Sequence, residues 1–270
     1  MLELSAAFPV YASDCFYLLR AGARGRFALW WTLTRLLLGR ATNIVAGYRV
    51  RCLDPHALFV CFHDIFVREV YRFETENRTP FIIDAGANIG IATLYFKSLY
   101  PQARILALEP HPQIFEALRT NVTANHLEGV QLLNAALWDD DCPIDFYGSP
   151  SGPESLIMST SRRSGGAKVS VRARKLAPLI DQPVDMLKLD IEGAETRVLR
   201  DLAETGKLAM VRETVIEYHH HVEDGPSCLS SFLGILESAG YRYQISASHF
   251  PFVAHDRPQD ILIRAYRGSC

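Results

Sequence analysis

The sequence predicts an α/β protein built on a mostly parallel sheet with helices on both faces, and three observations support this prediction. From residue 81 onward, short apolar runs alternate with segments of helical periodicity, as strands and helices do in doubly wound folds. A glycine-rich turn follows the apolar residues 81–84, which is typical of a ligand crevice at the carboxyl edge of such a sheet. The last two predicted strands, 241–246 and 261–266, have no helix between them, so we expect an antiparallel edge hairpin.

The other elements of this rhythm can be placed in chain order. Predicted strands cover residues 81–84, 104–108, 130–137, 184–189 and 211–218, and predicted helices cover residues 89–99, 112–125, 194–202 and 227–239. Residues 139–175 interrupt the rhythm and indicate an insertion of short antiparallel strands, at residues 144–147, 155–159 and 168–173. Upstream, we interpret residues 48–62 as a β-hairpin and Asp64 as the cap of a following helix.

Residues 1–45 differ in composition from the rest of the chain. Their arginines alternate with aromatic and aliphatic residues, which predicts two helices broken near Gly22 and Gly25. We interpret them as an accessory helical layer, a cap over the active site or a dimer contact, and a basic segment lying on a membrane surface is the alternative. The expected organisation is an accessory region, residues 1–75, followed by a ligand-binding domain, residues 76–270.

Length, charge and cysteine usage limit the class of protein. The 270 residues suffice for one large α/β domain with an appendage, and the formal net charge of −2 excludes a chain-wide electrostatic binder of nucleic acid. The six cysteines are scattered without a CxxC pair, so we interpret them as reduced thiols in a cytoplasmic protein. No apolar run reaches the roughly 18 residues of a membrane span.

The central motif is the glycine-rich turn Asp84-Ala85-Gly86-Ala87-Asn88-Ile89-Gly90. Its two glycines tolerate positive φ or let a ligand lie against bare backbone, and Asn88 is one of the few other residue types that tolerate the left-handed region. Asp84 at the strand end would repel a pyrophosphate but suits a cationic or amino-bearing ligand. This charge argument favours S-adenosylmethionine, which carries a sulfonium and an ammonium, over NAD or FAD.

Two further acids follow the next two predicted strands. Glu109, followed by Pro110, lies nineteen residues after Gly90, where an acid accepts hydrogen bonds from both ribose hydroxyls of a nucleoside. Asp139 would accept a hydrogen bond from the adenine amino group, and Trp138 would offer its ring face. The alternatives are a surface acid for Glu109 and a loop or cap carboxylate for Asp139.

These segments resemble the FkbM family of S-adenosylmethionine-dependent methyltransferases. The resemblance rests on DAGANIG at 84–90, on EP at 109–110 and on LKLDIEGAE at 187–195, and it spans about residues 60–220. It implies a class I methyltransferase (Rossmann-like) fold and methylation of hydroxyl groups on sugars, polyketides and other secondary metabolites. The cofactor contacts it implies are Asp84, Gly86, Asn88, Gly90 and Glu109. The complete expected cofactor set adds Ala87, Pro110, Trp138, Asp139 and Asp190.

The candidate catalytic residues lie at the ends of two later strands. Asp190 follows the predicted strand 184–189 and should border the crevice near the transferring methyl group. Glu217 and His219 point to one side of the next strand because side chains alternate along it, and a histidine there is suited to take a hydroxyl proton. With Glu192, these residues are our candidates for orienting or deprotonating the acceptor. The same four would suit a divalent cation, magnesium or manganese.

Purely structural interpretations are the alternatives at several of these positions. Glu192 and Glu195 lie in the first turn of a predicted helix, where acids complement the helix dipole. His219 is alternatively a solvated loop histidine, and His111 a plain loop residue. We interpret Lys188 as a structural partner of a neighbouring carboxylate.

The sequence therefore predicts S-adenosylmethionine-dependent O-methylation of a small metabolite, natural product or glycosyl group, without a nucleic-acid partner. An N-methyltransferase is the nearest alternative, disfavoured because no FPPY- or NPPY-type segment follows Asp190. A non-catalytic nucleoside-binding or scaffold module is the third. The acceptor should contact the 139–175 insertion, the N-terminal helices and the 247–260 loop.

Overall fold

The computed structural model describes residues 42–148, 158–159, 168–220, 229–247 and 259–268. The predicted N-terminal helices, most of the predicted strand 155–159 and most of the 247–260 loop lie outside these residues. The chain divides into two compact units, residues 1–51 and 52–270, and each is described by itself. Within the described ranges, no helix combines the length and the apolar character that crossing a membrane requires.

In the first unit, strands β1 (Thr42–Val45) and β2 (Tyr48–Arg51) form an antiparallel hairpin. Ala46 and Gly47 make its turn, with φ of 49° and 89°, and positive φ at both central residues is typical of the tight turns that join such strands. The predicted hairpin over residues 48–62 is therefore wrong in its pairing, because β2 pairs with the segment before it.

The second unit begins with a helix where the sequence predicted a strand. Helix α1 (Pro55–Phe62) follows Asp54, whose carboxylate accepts a hydrogen bond of 3.4 Å from the backbone N–H of Ala57. Asp as a cap and Pro at the first helical position start a helix, which explains why Asp54-Pro55 is not the predicted β-turn. A π-helical turn (His63–Val67) continues α1, and Asp64 lies inside that turn.

The remaining elements alternate between strand and helix as predicted, except over residues 130–189, whose described elements are strands and one 3₁₀ turn. In chain order they are β3 (Phe81–Ala85), α2 (Ile91–Leu99), β4 (Arg104–Leu108), α3 (Pro112–Ala124), β5 (Val130–Leu133), β6 (Ala136–Leu137), β7 (Ile144–Gly148), β8 (Met158–Ser159), β9 (Lys168–Val171), β10 (Ala173–Arg174), β11 (Val184–Leu189), α4 (Glu195–Glu204), β12 (Val211–His220), α5 (Leu229–Ser238), β13 (Arg242–Ala247) and β14 (Gln259–Tyr266). Short 3₁₀ turns precede β11 and β12.

Seven of these strands form one sheet, in the order β13-β14-β12-β11-β3-β4-β5. The five strands from β12 to β5 are parallel to one another, whereas β14 is antiparallel to both β12 and β13. The order reverses between β3 and β11, because β3 leads outward to β4 and the chain then returns to the other side of β3. This topology confirms the predicted mostly parallel sheet with an antiparallel edge hairpin.

The centre of the sheet is the core of the second unit. All five residues of β3 are buried, as are five of the six residues of β11, which is the continuous burial expected of strands covered on both faces. Leu187, Val198 and Phe232 belong to the apolar cluster that packs around β11 and β12. Each such side chain stabilises the fold by roughly 1.5–3 kcal/mol relative to exposure. Two charged residues, Asp84 and Lys188, are buried in the same strands.

The predicted strand 130–137 is split into β5 and β6 in the structure. Asn134 lies at the break, and its side-chain amide donates to the backbone carbonyls of Glu109 and Pro110 at 2.8 and 2.9 Å. Because this amide ties the chain to the end of β4, β6 leaves the main sheet and pairs in parallel with β10. The predicted antiparallel insertion is represented by β7, which pairs with β8 and β9.

Candidate functional site

The turn between β3 and α2 is held in the left-handed region at three positions. Gly86, Asn88 and Gly90 have φ of 78°, 52° and 95°. A Cβ on Gly86 would lie 1.7 Å from the backbone oxygen of Asp190, and one on Gly90 would lie 2.7 Å from Cδ1 of Leu118. The two glycines therefore let the turn pack directly on the end of β11 and let α2 begin close to α3.

Backbone hydrogen bonds tie this turn to the end of β4. The N–H groups of Gly86 and Ala87 both donate to the carbonyl of Leu108, at 3.0 and 2.8 Å. The next N–H, of Asn88, donates to Oε2 of Glu109 at 3.1 Å. Ala87 is buried in this contact, so it shapes the turn and does not offer its side chain to a ligand.

Glu109 is a buried carboxylate at the end of β4. Its Oε1 accepts a hydrogen bond of 2.8 Å from the backbone N–H of His111, in addition to the Asn88 contact on Oε2. Burial raises the pKa of Glu109 to about 7, against these two hydrogen bonds, which lower it. Each oxygen keeps lone-pair capacity for a further donor.

An open cleft lies between the ends of β3, β4 and β11. Three carboxyl-bearing residues and several apolar side chains form its wall. The lining residues are Gly86, Asn88, Leu108, Glu109, Pro110, Ile114, Ala135, Ala136, Leu137, Asp190, Ile191 and Glu192.

Two predicted cofactor residues are engaged by a neighbouring arginine. The guanidinium of Arg197 lies 4.8 Å from the ring centroid of Trp138, and its Nη1 lies 3.2 Å from Oδ2 of Asp139. The cleft wall is formed instead by Ala136 and Leu137, immediately before them. The sequence did not indicate these two residues, because the predicted strand 130–137 runs without a break through Asn134.

Asp84 is fully buried behind the turn and does not line the cleft. The hydroxyl of Thr93 donates to its Oδ2 at 2.6 Å, and Nζ of Lys188 lies 3.4 Å from its Oδ1. Its charge predicts that this carboxylate faces a cationic ligand, whereas in the structure the ammonium of Lys188 provides the countercharge. Burial lowers the pKa of Lys188, but Asp190, Asp84 and Glu217 together outweigh burial and raise it.

His219 connects the end of β12 to the segment after β11. Its Nδ1 lies 2.9 Å from Oε1 of Glu195, while its Nε2 lies 3.5 Å from Glu192 and 4.0 Å from Asp190. Burial lowers the pKa of His219, but the surrounding carboxylates, Glu195 first, raise it well above its usual range. The three acids around the imidazole therefore favour its cationic form.

Glu195 orients this histidine, a role that the dipole interpretation missed. Its side chain is 1% exposed, and its Oε1 also accepts hydrogen bonds from the backbone N–H groups of Ile191 and Gly193, at 3.2 and 3.0 Å. These bonds hold the carboxylate in the orientation in which it contacts Nδ1 of His219. The spacing of three acids at 190, 192 and 195 around a turn is the sequence signal that points to such a cluster.

Glu192 and Glu217 share the electrostatic environment of Asp190. Glu192 has φ of 59°, in a region that costs a non-glycine residue on the order of 1–3 kcal/mol and is typical of functional sites. Burial, with Asp190 and Glu217, raises the pKa of Glu192 well above its usual range. Asp190 and then burial raise the pKa of Glu217 to about 8. Near neutral pH, this cluster therefore retains protons that isolated carboxylates would lose.

The fold and this arrangement of residues define a class I methyltransferase. The sheet has a five-stranded parallel part and an antiparallel strand inserted at one edge, and the cleft opens where the strand order reverses. The glycine turn, Glu109 at the end of β4 and Asp190 at the end of β11 all border that cleft.

Comparison with known proteins gives the family. Residues 84–243 match the methyltransferase FkbM domain. Methyltransferase sdnD of Sordaria araneosa is 33% identical over 189 residues, which is 58% of this chain and 73% of that protein. The 2-O-methyltransferase NoeI of Sinorhizobium fredii is 26% identical over 60% of this chain and 73% of its own. The 31-O-demethyl-FK506 methyltransferase FkbM of Streptomyces tacrolimicus is 23% identical, over 77% and 90%.

This chain belongs to the FkbM family of S-adenosylmethionine-dependent methyltransferases. The resemblance noted at DAGANIG, at Glu109-Pro110 and at LKLDIEGAE is thereby confirmed.

Proposed function

We propose that this protein transfers the methyl group of S-adenosylmethionine to a hydroxyl group of a small metabolite, natural product or glycosyl group. The observation that carries the proposal is the direct packing of the glycine turn on Asp190, beside the cluster formed with Glu192 and His219. This packing brings a nucleoside cleft and a set of proton-accepting groups to one place. Two relatives, NoeI and FkbM, carry names that specify O-methylation.

The cleft suggests how the cofactor lies in it. The carboxylate of Glu109 would accept hydrogen bonds from the ribose hydroxyls, since each of its oxygens keeps lone-pair capacity. Apolar residues such as Leu108, Ile114 and Leu137 would contact the adenine ring. The sulfonium end would lie at Asp190, whose carboxylate suits a cation. Asp84 would act indirectly, through Lys188.

The chemistry needs alignment and a proton acceptor. In methyl transfer, the acceptor oxygen attacks the methyl carbon in line with the carbon–sulfur bond, the hydroxyl proton leaves, and S-adenosylhomocysteine is released. We assign proton acceptance to a carboxylate of the cluster formed by Asp190, Glu192 and Glu217. The raised pKa of Glu217, about 8, makes its ionised carboxylate a stronger base than an ordinary one, and the ionised fraction that can accept the proton grows as the pH rises toward 8. His219, cationic and held by Glu195, orients these acids.

A divalent cation is a second candidate for this cluster. Asp190, Glu192 and His219 each offer one ligand atom, and these atoms lie within 4.8 Å of one another. Two carboxylate oxygens and one imidazole suit magnesium or manganese. The contact of Glu195 with Nδ1 resembles the carboxylate–histidine pairs that orient metal-binding imidazoles. The ion would orient the acceptor oxygen and lower the pKa of its hydroxyl.

Residues 1–45 carry a separate proposal. We infer that they form an accessory surface that contacts a second copy of the chain, because their arginines are interleaved with aromatic residues. We also propose that the protein is cytoplasmic. Sedimentation velocity tests this inference, which predicts a dimer whose dissociation follows deletion of these residues. Co-sedimentation with anionic liposomes at low salt would instead support the membrane alternative.

The proposed reaction is tested with methyl-¹³C S-adenosylmethionine and a panel of paired hydroxylated and amine-bearing acceptors. We expect a ¹³C-methyl ether signal from a hydroxylated acceptor. Methylation confined to nitrogen would support the N-methyltransferase alternative. Tight S-adenosylhomocysteine binding without transfer to any member of the panel would favour the nucleoside-binding module.

A further inference from the structure

We propose that Lys188 is a positioning residue that fixes the cofactor turn and the Asp190 carboxylate in one relative arrangement. This inference rests on the proposed function, because it takes the turn as the cofactor site and Asp190 as the group beside the sulfonium. It assigns to a buried strand residue the alignment of methyl donor and acceptor.

The ammonium of Lys188 meets acceptors from two strand ends. Nζ donates to the carbonyl of Gly86 at 2.7 Å and lies 3.3 Å from that of Ala85, at the end of β3. It also lies 3.5 Å from Oδ2 of Asp190 and 3.4 Å from Oδ1 of Asp84. A lysine has three donors and no acceptor, and here its ammonium combines hydrogen bonds to the two carbonyls with ion pairs to the two carboxylates.

These contacts begin where the sheet ends. The backbone ladder between β3 and β11 closes with the N–H of Asp190 donating to Ala85 at 3.2 Å. Beyond it, Gly86 enters the turn and the chain after Asp190 enters the next loop. Lys188 therefore bridges Gly86 and Asp190, which directly follow the last residues of β3 and β11, and both of them line the cleft.

The surroundings of Lys188 favour positioning over proton transfer. Its side chain is 3% exposed, and its Nζ lies 5.4 Å from the ring centroid of the buried Tyr71, on whose face a cation is stabilised. Two carboxylates, two carbonyls and an aromatic ring thus surround the ammonium. A substrate proton would have to pass these groups to reach it, whereas Asp190 borders the cleft directly.

The test must separate this role from folding, because removal of Lys188 alone would leave the buried Asp84 uncompensated. We therefore compare Asp84→Asn with the double variant Asp84→Asn/Lys188→Met, in which no such charge is left. Lys207→Met is the matched control, because its Nζ also donates to a backbone carbonyl, that of Ile180 at 2.7 Å, but outside the cleft. Thermal unfolding establishes which variants are folded.

The readout is the dissociation constant of S-adenosylhomocysteine, measured by calorimetry with and without Asp190→Asn. We expect Asp190→Asn to weaken binding about tenfold in the Asp84→Asn protein but less than about twofold once Lys188 is also replaced, because coupled residues are non-additive. When Lys207→Met replaces Lys188→Met in the Asp84→Asn protein, Asp190→Asn should still weaken binding about tenfold. Equal effects of Asp190→Asn in both backgrounds would overturn the positioning role. A wild-type protein that does not bind the ligand would instead refute the proposed function.

Should the double variant not fold, Lys188→Arg replaces it in the same cycle. Arginine keeps the charge but carries it on a planar group that does not reproduce the ammonium geometry. We expect this variant to weaken the ligand at least about fivefold and to reduce its coupling to Asp190. Wild-type affinity and coupling would show that charge alone, without positioning, is what the site requires.

Discussion

Gly86 packs so closely on Asp190 that a Cβ on the glycine would lie 1.7 Å from the Asp190 carbonyl oxygen. The neighbouring atom is backbone at the end of a buried strand, so it has little freedom to move away. The glycine turn after β3 and the segment that begins at Asp190 are therefore packed directly against each other. This contact explains why glycine is needed at this position for a reason beyond its φ of 78°.

We predict that Gly86→Ala abolishes measurable S-adenosylhomocysteine binding and destabilises the protein by more than about 3 kcal/mol, because backbone strain adds to a backbone clash. Gly206→Ala is the control: Gly206 also has positive φ, 73°, but open space lies around its Cβ position. It should cost only about 1 kcal/mol and leave binding intact. Scanning calorimetry and titration calorimetry measure both effects, and equal destabilisation of the two variants would contradict the packing argument.

Cofactor affinity should depend on the ionisation of Glu109. Ribose hydroxyls donate best to the ionised carboxylate, and the pKa of Glu109 is raised to about 7. We therefore expect S-adenosylhomocysteine to bind more weakly as the pH falls from 8 to 6. In Glu109→Gln, affinity should be lower at pH 8 and this pH dependence should be lost. An identical pH profile in the variant would show that another group is responsible.

The same shift predicts a stability effect in the unliganded protein. Because the pKa of Glu109 is raised on folding from 4.5 to about 7, its protonated form is favoured in the folded state. The resulting stabilisation is complete below about pH 4.5 and is lost as the pH rises through 7. The difference in melting temperature, Glu109→Gln minus wild type, should therefore increase from pH 5 to pH 8. A constant difference would mean that Glu109 has an ordinary pKa.

Glu195 should affect turnover much more than cofactor binding. In Glu195→Gln the carboxylate that accepts three hydrogen bonds becomes an amide, so His219 loses its countercharge and its fixed orientation. We expect kcat to fall about tenfold or more, stability to fall by about 1–3 kcal/mol, and S-adenosylhomocysteine affinity to stay within about threefold of wild type. Glu204→Gln, an exposed acid at the other end of α4, is the matched control. Unchanged kcat in Glu195→Gln would remove His219 from the catalytic cluster.

The cation candidate makes a separate prediction. If Asp190, Glu192 and His219 bind a divalent ion, treatment with EDTA should lower turnover at least about tenfold, and Mn²⁺ or Mg²⁺ should restore it. His219→Ala should weaken binding of Mn²⁺, measured by electron paramagnetic resonance, more than the control His126→Ala. Full turnover in EDTA would leave the cluster as a metal-free set of acids around an imidazolium.

The sequence predicts a site residue when its place at the end of a strand is enough to locate it, and fails when the location depends on a contact with a distant segment. Glu109 and Asp190 were predictable as cleft residues, because an acid after an apolar strand of a parallel sheet lies at its carboxyl edge. The sequence also predicted that Lys188 pairs with a neighbouring carboxylate, which its contacts with Asp84 and Asp190 bear out. It could not identify Asp84 as a partner, since that pairing joins β11 to β3 across about a hundred residues of sequence. The sequence placed Trp138 and Asp139 at the cleft, whereas Ala136 and Leu137 line it, because the Asn134 side chain bonds to the end of β4 and redirects the chain.

The fold shows the same division. The alternation of strands and helices from β3 to β14 follows from periodicity, because each element buries a continuous apolar face. The predicted hairpin over residues 48–62 was wrong because the alternating pattern of β2 allows it to pair with either the preceding or the following segment. The turn at Ala46-Gly47 selects the preceding one. Similarly, the apolar residues of α1 are short enough to fit a strand or a helix, and the Asp54 cap decides.

A structure of the protein with S-adenosylhomocysteine would show directly whether this cleft serves methyl transfer. We expect the ribose hydroxyls to donate to the Glu109 carboxylate, the adenine to lie against Leu137, and the sulfur to face Asp190 with the Glu192 and His219 side chains beyond it. A ligand bound elsewhere, or one whose sulfur points away from Asp190, would contradict the assignment of this cleft and its acidic cluster to methyl transfer.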